Sequence, residues 1–254
     1  MPFTISHAVL APVIHHASRK QLPISALAIG CMLPDLYRLF TDEHITYSHL
    51  WSSMLYPNMT LGLVFCLLWY SIVRPTFFRF FALHNPLPIH NIFSTLRFLI
   101  MICIALCIGI STHIIWDGLT HVDYRTLAFR DFLSQQISIA GFSFPMHRVL
   151  QVGSSAVVLP VVGWMAWRYF CTYHRQDSAS LGVKLYAIAL CILSILAGVA
   201  GFIQFAGPYD FIPWHDLYGY VGTAINYFFR GFLLCMLLGS LIFQILDQLS
   251  VFED

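Results

Sequence analysis

The stretch His113-Ile-Ile-Trp-Asp117-Gly-Leu-Thr-His121 closes an apolar run that covers residues 96–116. It places two imidazoles and one carboxylate, all potential metal ligands, four residues apart. A helix turns about 100° per residue, so the three side chains fall at about 0°, 40° and 80° and line one face. The run before them is long enough to cross a membrane. The stretch therefore predicts a membrane helix with a polar face at one end, where a metal ion could bind.

The composition indicates that most of the chain faces lipid. Its 254 residues are 58% hydrophobic and 10% charged, and the mean hydropathy is +0.73. Soluble domains carry roughly 25% charged residues. A net charge of +1 provides no basic surface, so we expect no nucleic-acid partner. Most of the cysteines lie inside apolar runs and no Cys-x-x-Cys pair is present, which argues against a thiolate zinc site.

Five apolar runs reach the ~20 residues that a membrane helix needs, namely residues 54–73, 96–116, 149–170, 185–205 and 218–246. A sixth run, residues 22–40, is short and is expected to break at Pro34-Asp35. We interpret it as a buried or re-entrant segment, with a true span as the alternative. The sequence thus predicts an all-α polytopic integral membrane protein with about five or six transmembrane helices. We expect residues 1–254 to form a single membrane-embedded helical domain.

The order of the spans predicts which connections share a side of the membrane. With five spans, the N-terminal stretch and the connections 117–148 and 207–217 emerge together, and they hold every cluster of Asp with His. The connections 74–95 and 171–184 carry mainly Arg, Lys and His. This pattern predicts a bacterial inner-membrane protein with a cation site on the periplasmic face. The positive-inside rule supports that orientation weakly, because arginines also lie on the site side.

Two residues before the first span are the next candidates. Asp35 follows Pro34 in an apolar segment, where burial of an unpaired carboxylate would cost several kcal/mol. A salt bridge to Arg38 or a helix cap is the alternative for this residue. His49 directly precedes the first span and can lie at the depth of Asp35, although a histidine at that position is often simply interfacial.

Further candidates lie near the two ends of the same region. His147 and Gln151 open the third span as a second i, i+4 pair, in which the glutamine can orient an imidazole or a water. His7 can fold back on the site or remain solvated. Asp123 is expected beside the site or in solvent, and Arg148 can hold a phosphate by paired hydrogen bonds. Weaker candidates for holding a phosphate are Arg125, Arg130 and Arg230. We exclude His84, His90 and His174 because they fall on the other side of the membrane, and we interpret Asp210, His215 and Asp216 as part of an ordinary turn-rich loop.

Carboxylates and imidazoles without thiolates favour a catalytic metal site over a structural one. We therefore expect a divalent metal, with zinc as the expected ion, and we assign catalytic roles to Asp35, His113 and Asp117. The competing interpretation is an ordinary hydrogen-bonded helix end with His121 at the interface. The sequence contains no Gly-x-Ser-x-Gly, no Gly-x-Gly-x-x-Gly and no His-Glu-x-x-His motif.

Several motifs in order resemble an uncharacterised family of bacterial membrane proteins. They are Met1-Pro-Phe-Thr-Ile-Ser-His7, Leu33-Pro-Asp35, His49, the stretch 112–121, and His147 with Gln151. They extend over most of the chain. That family is similar in turn to membrane-bound metal-dependent hydrolases and, more distantly, to zinc-dependent phospholipase C and single-strand nucleases. The resemblance implies a helical core like that of phospholipase C.

The resemblance also implies a set of metal ligands, because those soluble enzymes collect several zinc ions on His and Asp side chains. The matching positions are His7, Asp35, His49, His113, Asp117, His121 and His147. Gln151 occupies the position where the relatives have glutamate. This difference affects the ligands of one ion in a multinuclear cluster. In the soluble enzymes a free N-terminal amine completes the metal site. We do not expect that ligand here, because the sequence shows no signal-peptide pattern whose removal would create it.

These features together predict a membrane-bound metal-dependent hydrolase of phosphoesters that acts on a membrane lipid or an envelope intermediate. The alternative is a non-enzymatic membrane protein, for transport or assembly, in which the polar cluster binds a metal or protons. Transporters often contain paired repeats, and the sequence has none that we can detect.

Overall fold

The computed structural model describes residues 4–43, 45–175, 179–207 and 217–252, and these are mostly helical, which confirms the all-α prediction. The residues Asp210, His215 and Asp216 lie outside the described ranges. The helices are α1 (Leu10–Ala17), α2 (Ile24–Leu36), α3 (Thr60–Leu68), α4 (Arg74–Phe80), α5 (Ile92–Thr120), α6 (Arg130–Ser134), α7 (Met146–Tyr173), α8 (Leu181–Ala206) and α9 (Leu217–Gln248). Short helical turns occur at Thr4–Val9, Tyr37–Leu39, Tyr47–His49 and Trp51–Ser53.

Within the described residues, five helices of 26 to 30 residues are long and apolar enough to cross a membrane. At 1.5 Å per residue, each is about 40 Å long, more than the ~30 Å hydrocarbon core. A multi-pass membrane protein is therefore confirmed. The helices are Trp51–Phe80, Ile92–Thr120, Met146–Tyr173, Leu181–Ala206 and Gly219–Gln248. The first continues through Arg74 and Arg79, which corrects their assignment to a connection, because the apolar run ends before the helix does.

The segment 22–40 contains α2, a buried helix of 13 residues. Its length of about 20 Å is too short to span a bilayer. The expected break at Pro34-Asp35 is wrong, because Pro34 is buried inside α2 and the helix ends at Leu36. A proline removes one backbone hydrogen bond, and packing around the helix can offset that loss.

The connection between α5 and α7 contains a two-stranded antiparallel hairpin that was not predicted from the sequence. Strand β1 (Gln136–Ile139) pairs with β2 (Phe142–Pro145), and Gly141 at the turn has a φ of +84°. The strands are short and mostly exposed. Their sequence therefore lacks the long alternation of apolar and polar residues from which a half-buried strand is predicted.

The chain forms two compact units. The first comprises Met1–Tyr37, His44–Cys66 and Leu87–Tyr169, and the second comprises Arg38–Glu43, Leu67–Pro86 and Phe170–Asp254. In the first unit α2 packs directly on α5. A Cβ atom at Gly109 would lie 2.7 Å from the Leu27 carbonyl oxygen and 2.7 Å from the Cys31 amide nitrogen. The absence of a side chain at position 109 therefore permits the backbone contact that brings the two helices together.

The second unit has an aromatic core where α4, α8 and α9 meet. The ring of Phe80 lies edge-on to that of Phe243 at 4.7 Å, and Phe252 stacks on Phe243 at 5.1 Å. The outer face of α8 is apolar and exposed, as expected for contact with lipid. Its exposed side chains include Leu185, Ile188, Ile192 and Leu196.

Candidate metal centre

The site is built on the end of α5, where His113 and Asp117 share one helix face. Both are buried, at 0% and 3% exposure. The helix ends at Thr120, so His121 has an extended backbone and does not occupy a third helical turn. Its Nδ1 nevertheless lies 3.6 Å from Oδ1 of Asp117. The predicted common face is thus present for His113 and Asp117, and His121 approaches the same carboxylate from the connection that follows.

Helix α2 fixes the orientation of the His113 ring. Nδ1 of His113 lies 2.8 Å from the backbone carbonyl oxygen of Cys31. Because a carbonyl only accepts, Nδ1 carries the hydrogen, and in the neutral ring Nε2 presents its lone pair. This Nε2 is buried, has no hydrogen-bond partner among the described residues and lies 3.6 Å from Oδ2 of Asp117. A cation between this lone pair and the carboxylate oxygen would be bound by both.

His49 has the same arrangement through Ser48. The Ser48 hydroxyl donates to the Pro34 carbonyl at 2.9 Å, so its oxygen accepts from Nδ1 of His49 at 3.0 Å. Nε2 of His49 therefore also presents a lone pair. It lies 3.3 Å from Oδ1 of Asp35 and 3.5 Å from Oδ2 of Asp117. Burial lowers the pKa of His49, which favours the neutral ring that binds metals.

The turn Thr4–Val9 brings His7 onto the site. Its ring stacks on His113 with 3.9 Å between centroids, and its Nε2 lies 3.8 Å from Oδ1 of Asp117. Burial holds the pKa of His7 well below its usual range, so this imidazole is neutral. The Thr4 hydroxyl donates to Oδ2 of Asp35 at 3.1 Å and orients that carboxylate.

Two overlapping groups of side chains have the spacing of metal ligands. Among the described residues, the first group is His7, Asp35 and His113, and the second group is His49, His113 and Asp117. Within each group, one ligand atom from each residue lies within 4.8 Å of the others. Ligand atoms of a tetrahedral zinc ion with bonds of about 2.1 Å lie roughly 3.4 Å apart. The separations of 3.3 Å, 3.5 Å and 3.6 Å around His49, Asp35, Asp117 and His113 are close to that value. The residues present therefore fit a divalent cation.

Arg125, which the sequence offered only as a weaker candidate for binding phosphate, lies beside these ligands. Its Nη1 donates to Oδ2 of Asp117 at 3.0 Å, and its Nε lies 3.0 Å and 3.1 Å from the two carboxylate oxygens of Asp123. Asp123 thus acts on the site through Arg125. Burial alone would raise the pKa of Asp123, but the hydrogen bonds from Arg125 outweigh it and lower the pKa. The signal in the sequence was a buried acid that needed a positive partner.

The connection after α5 is folded so that it delivers Arg125. The Leu127 amide donates to the Gly118 carbonyl at 2.8 Å, and the Thr126 hydroxyl donates to the His121 carbonyl at 2.8 Å. A side chain at Gly118 would overlap Leu127. Burial, with the charge of Arg125 adding to it, lowers the pKa of His121 to about 4, so this ring is also neutral.

The predicted residues on α7 have other contacts. Nδ1 of His147 lies 3.2 Å from the Leu133 carbonyl, and His147 is in neither of the two ligand groups of the described chain. Gln151 is buried and donates to the Thr120 carbonyl at 2.7 Å, so it holds the end of α5. Arg148 is half-buried near the start of α7. Their metal or phosphate roles stay predictions.

A family model described as a domain of unknown function, DUF4184, matches residues 1–241. No curated protein and no solved structure matches the chain. The match agrees with the resemblance to an uncharacterised family. The likeness to metal-dependent hydrolases and to phospholipase C stays a prediction, because the matching description assigns no activity.

Proposed function

We propose that this chain, which belongs to the DUF4184 family, binds a divalent cation at the end of α5 and hydrolyses phosphoesters there. One observation carries the proposal. His49 and His113 each have Nδ1 engaged by a hydrogen bond, so that both Nε2 lone pairs face the carboxylate of Asp117 at 3.5 Å and 3.6 Å. Two lone pairs beside an anion repel one another, and a cation bound between them relieves that repulsion, as a proton on one imidazole also would.

The ligands suit zinc. His49, His113 and Asp117 form one group of ligands, and His7 with Asp35 extends it. Imidazole and carboxylate together are typical of catalytic zinc sites. Cys31 is close in the fold but is no thiolate ligand, because burial raises the pKa of its thiol to about 11 and its sulfur contacts the Thr112 hydroxyl at 3.3 Å.

A bound divalent cation would polarise a phosphoryl oxygen and make water more acidic. Around it, Arg125 would bind a non-bridging phosphate oxygen, because a guanidinium supplies paired donors in a plane. Asp123 holds Arg125 in position. Asp35 is the more exposed of the two carboxylates, at 10% against 4% for the side chain, so we assign proton transfer from water to its Oδ1.

The substrate class follows from the place of the site in the sequence. Asp117 stands three residues before the end of a membrane helix, near the level of lipid headgroups. A phosphoester in a membrane lipid or an envelope intermediate would meet the site there. We further propose that the protein lies in the bacterial inner membrane with the site on the periplasmic face, because the Asp and His clusters fall on one side of the five spans and the connections carrying mainly Arg, Lys and His fall on the other.

The experiment is elemental analysis of the detergent-purified protein together with hydrolysis of a chromogenic phosphodiester. We expect bound zinc or a related metal, and turnover that a chelator abolishes and added metal restores. His113→Ala should lose both, while His84→Ala, an exposed histidine of the second unit, should keep both. Wild-type protein without metal after purification and after metal addition would overturn the proposal.

A second function is favoured by one observation, the burial of the ligands. His7, His49, His113 and Asp117 are all 5% exposed or less, so a large substrate has little access in this conformation. The cluster would then bind a metal or protons in a non-enzymatic protein for transport or assembly. Metal binding without hydrolysis of any phosphoester in the assay would support this alternative.

A further inference from the structure

The second unit contains a cavity of about 420 Å³, and none of its described lining residues is a candidate metal ligand. Its polar lining consists of Arg79, His84, Arg175 and Asp247. Arg79 lies in the last turn of α4, and Asp247 lies next to the end of α9. Three basic side chains from separate segments therefore surround one space.

Backbone pairing holds two of these segments together. The His84 amide donates to the Tyr173 carbonyl at 2.8 Å, and the Arg175 amide donates to the Ala82 carbonyl at 2.9 Å. These bonds flank an antiparallel bridge between Leu83 and His174. His84 and Arg175 each directly follow a residue of this bridge, and both line the cavity.

The charges of the cavity are not balanced. Asp247 is the one acid among its described lining residues, and Oδ1 of Asp247 lies 3.6 Å from Nε of Arg79. The Arg175 side chain is exposed and has no hydrogen-bond or ion-pair partner in the described part of the chain. The described lining therefore carries a net positive charge before His84 is counted, and it attracts an anion.

The rest of the lining and its position point to the membrane surface. Phe78 and Leu83 form an apolar wall beside the arginines. The cavity lies near the ends of membrane helices, which finish at Phe80, Tyr173 and Gln248. Basic pockets between membrane helices at the cytoplasmic side are typical binding sites for anionic headgroups. An apolar wall next to guanidinium groups matches a phosphate that carries an acyl chain.

We propose that this cavity binds a phosphate group, carried by an anionic lipid headgroup or free in solution. Arg79 and Arg175 bind its oxygens, since guanidinium groups form paired hydrogen bonds with phosphate. Phe78 and Leu83 contact the apolar part when the phosphate belongs to a lipid. The site is independent of the metal centre and of any hydrolysis there.

The test measures lipid binding to the full-length protein in detergent by native mass spectrometry. The probes are phosphatidylglycerol, phosphatidylcholine and inorganic phosphate. We expect Arg79→Gln and Arg175→Gln each to weaken phosphatidylglycerol binding about fivefold, the effect of about one basic residue at a membrane surface. Lys184→Gln is the matched control, because Lys184 is exposed at the start of α8 outside the cavity, and it should bind as wild type.

Three outcomes separate the possibilities. Preference for phosphatidylglycerol over phosphatidylcholine, unaffected by millimolar phosphate, identifies the headgroup as the source. Displacement by phosphate, with the same dependence on Arg79 and Arg175, identifies free phosphate. Equal effects in Lys184→Gln and Arg175→Gln, or no effect in either, overturn the proposal. Arg175→Gln decides the test if Arg79→Gln is unstable, because the Arg175 side chain makes no described contact that folding would lose.

Discussion

Nη1 of Arg125 lies 3.0 Å from Oδ2 of Asp117, the same oxygen that faces Nε2 of His49 and of His113. One carboxylate oxygen thus serves both a guanidinium and the proposed cation. The two positive charges would compete for it, because each stabilises the same buried anion and each repels the other.

Arg125→Gln should therefore bind zinc more tightly than wild type. Two unit charges about 4 Å apart repel by roughly 1–4 kcal/mol between bulk water and a protein surface, so we expect a gain of about tenfold. A competition titration against a chromogenic chelator measures it. Arg130→Gln removes the same charge from an exposed position in the same connection and should leave the affinity unchanged. Weaker binding in Arg125→Gln alone would show that Arg125 supports the site.

The same variant should lose phosphodiesterase activity although it binds metal. If Arg125 binds the phosphate in the transition state, its loss should lower kcat by about 10²-fold, the usual effect of one such donor. Steady-state kinetics with saturating metal measures this. Full activity in Arg125→Gln would remove Arg125 from the proposed chemistry and leave the metal assignment intact.

His49→Ala and His147→Ala should differ in metal affinity. His49 lies within 3.5 Å of two carboxylates, whereas His147 contacts the Leu133 carbonyl. Loss of a direct ligand should cost roughly 100-fold or more, since even outer partners of metal ligands contribute 10–100-fold. We expect His147→Ala to retain wild-type affinity in the chelator competition. Equal losses in the two variants would instead support the ligand role that the resemblance implies for His147.

Metal removal should destabilise the first unit. A ligand present at 1,000 times its Kd stabilises the folded state by about 4 kcal/mol. Thermal unfolding in detergent should therefore shift to a lower Tm when a chelator is added, and zinc should reverse the shift. His113→Ala serves as the control and should have a Tm that does not respond to the chelator. An identical response in wild type and His113→Ala would place the effect elsewhere in the chain.

Gly109→Ala should weaken the packing of α2 on α5. The added Cβ would lie 2.7 Å from backbone atoms of Leu27 and Cys31, so the helices must separate at a cost of about 1–3 kcal/mol. The separation would also lengthen the contact from His113 to Cys31 and reduce metal affinity. Gly153→Ala is the matched control, because nothing lies within 4 Å of its added Cβ, and it should not lower the Tm.

The sequence predicted those features that depend on local spacing. The i, i+4 pair His113 and Asp117 lies on one face because a helical period is a property of the segment itself. The partners of that pair come from tertiary packing. Neither the Cys31 carbonyl nor the guanidinium of Arg125 has a periodic signal, and a backbone acceptor such as the Thr120 carbonyl for Gln151 leaves no mark on residue type.

The first membrane helix also extends beyond the apolar run that hydropathy identifies. The first helix continues to Phe80 through Arg74 and Arg79, because a helix can extend into the interface where charged side chains meet water. Hydropathy alone also left the placement of residues 22–40 ambiguous. Residues 22–40 are apolar enough to enter a bilayer, but the backbone contact between Leu27 and Gly109 places α2 against another helix of the protein.

The hydrogen bond between His113 and the Cys31 carbonyl joins residues 82 positions apart, and it has a consequence for synthesis of the protein. His7, Asp35 and His49 leave the ribosome well before α5, so the early chain contains acid and imidazole groups without their partners. Closing so long a loop is entropically costly until α2 docks on α5. Metal uptake would therefore be a late event in biogenesis, and bound metal would mark chains whose first two membrane helices are correctly inserted and assembled.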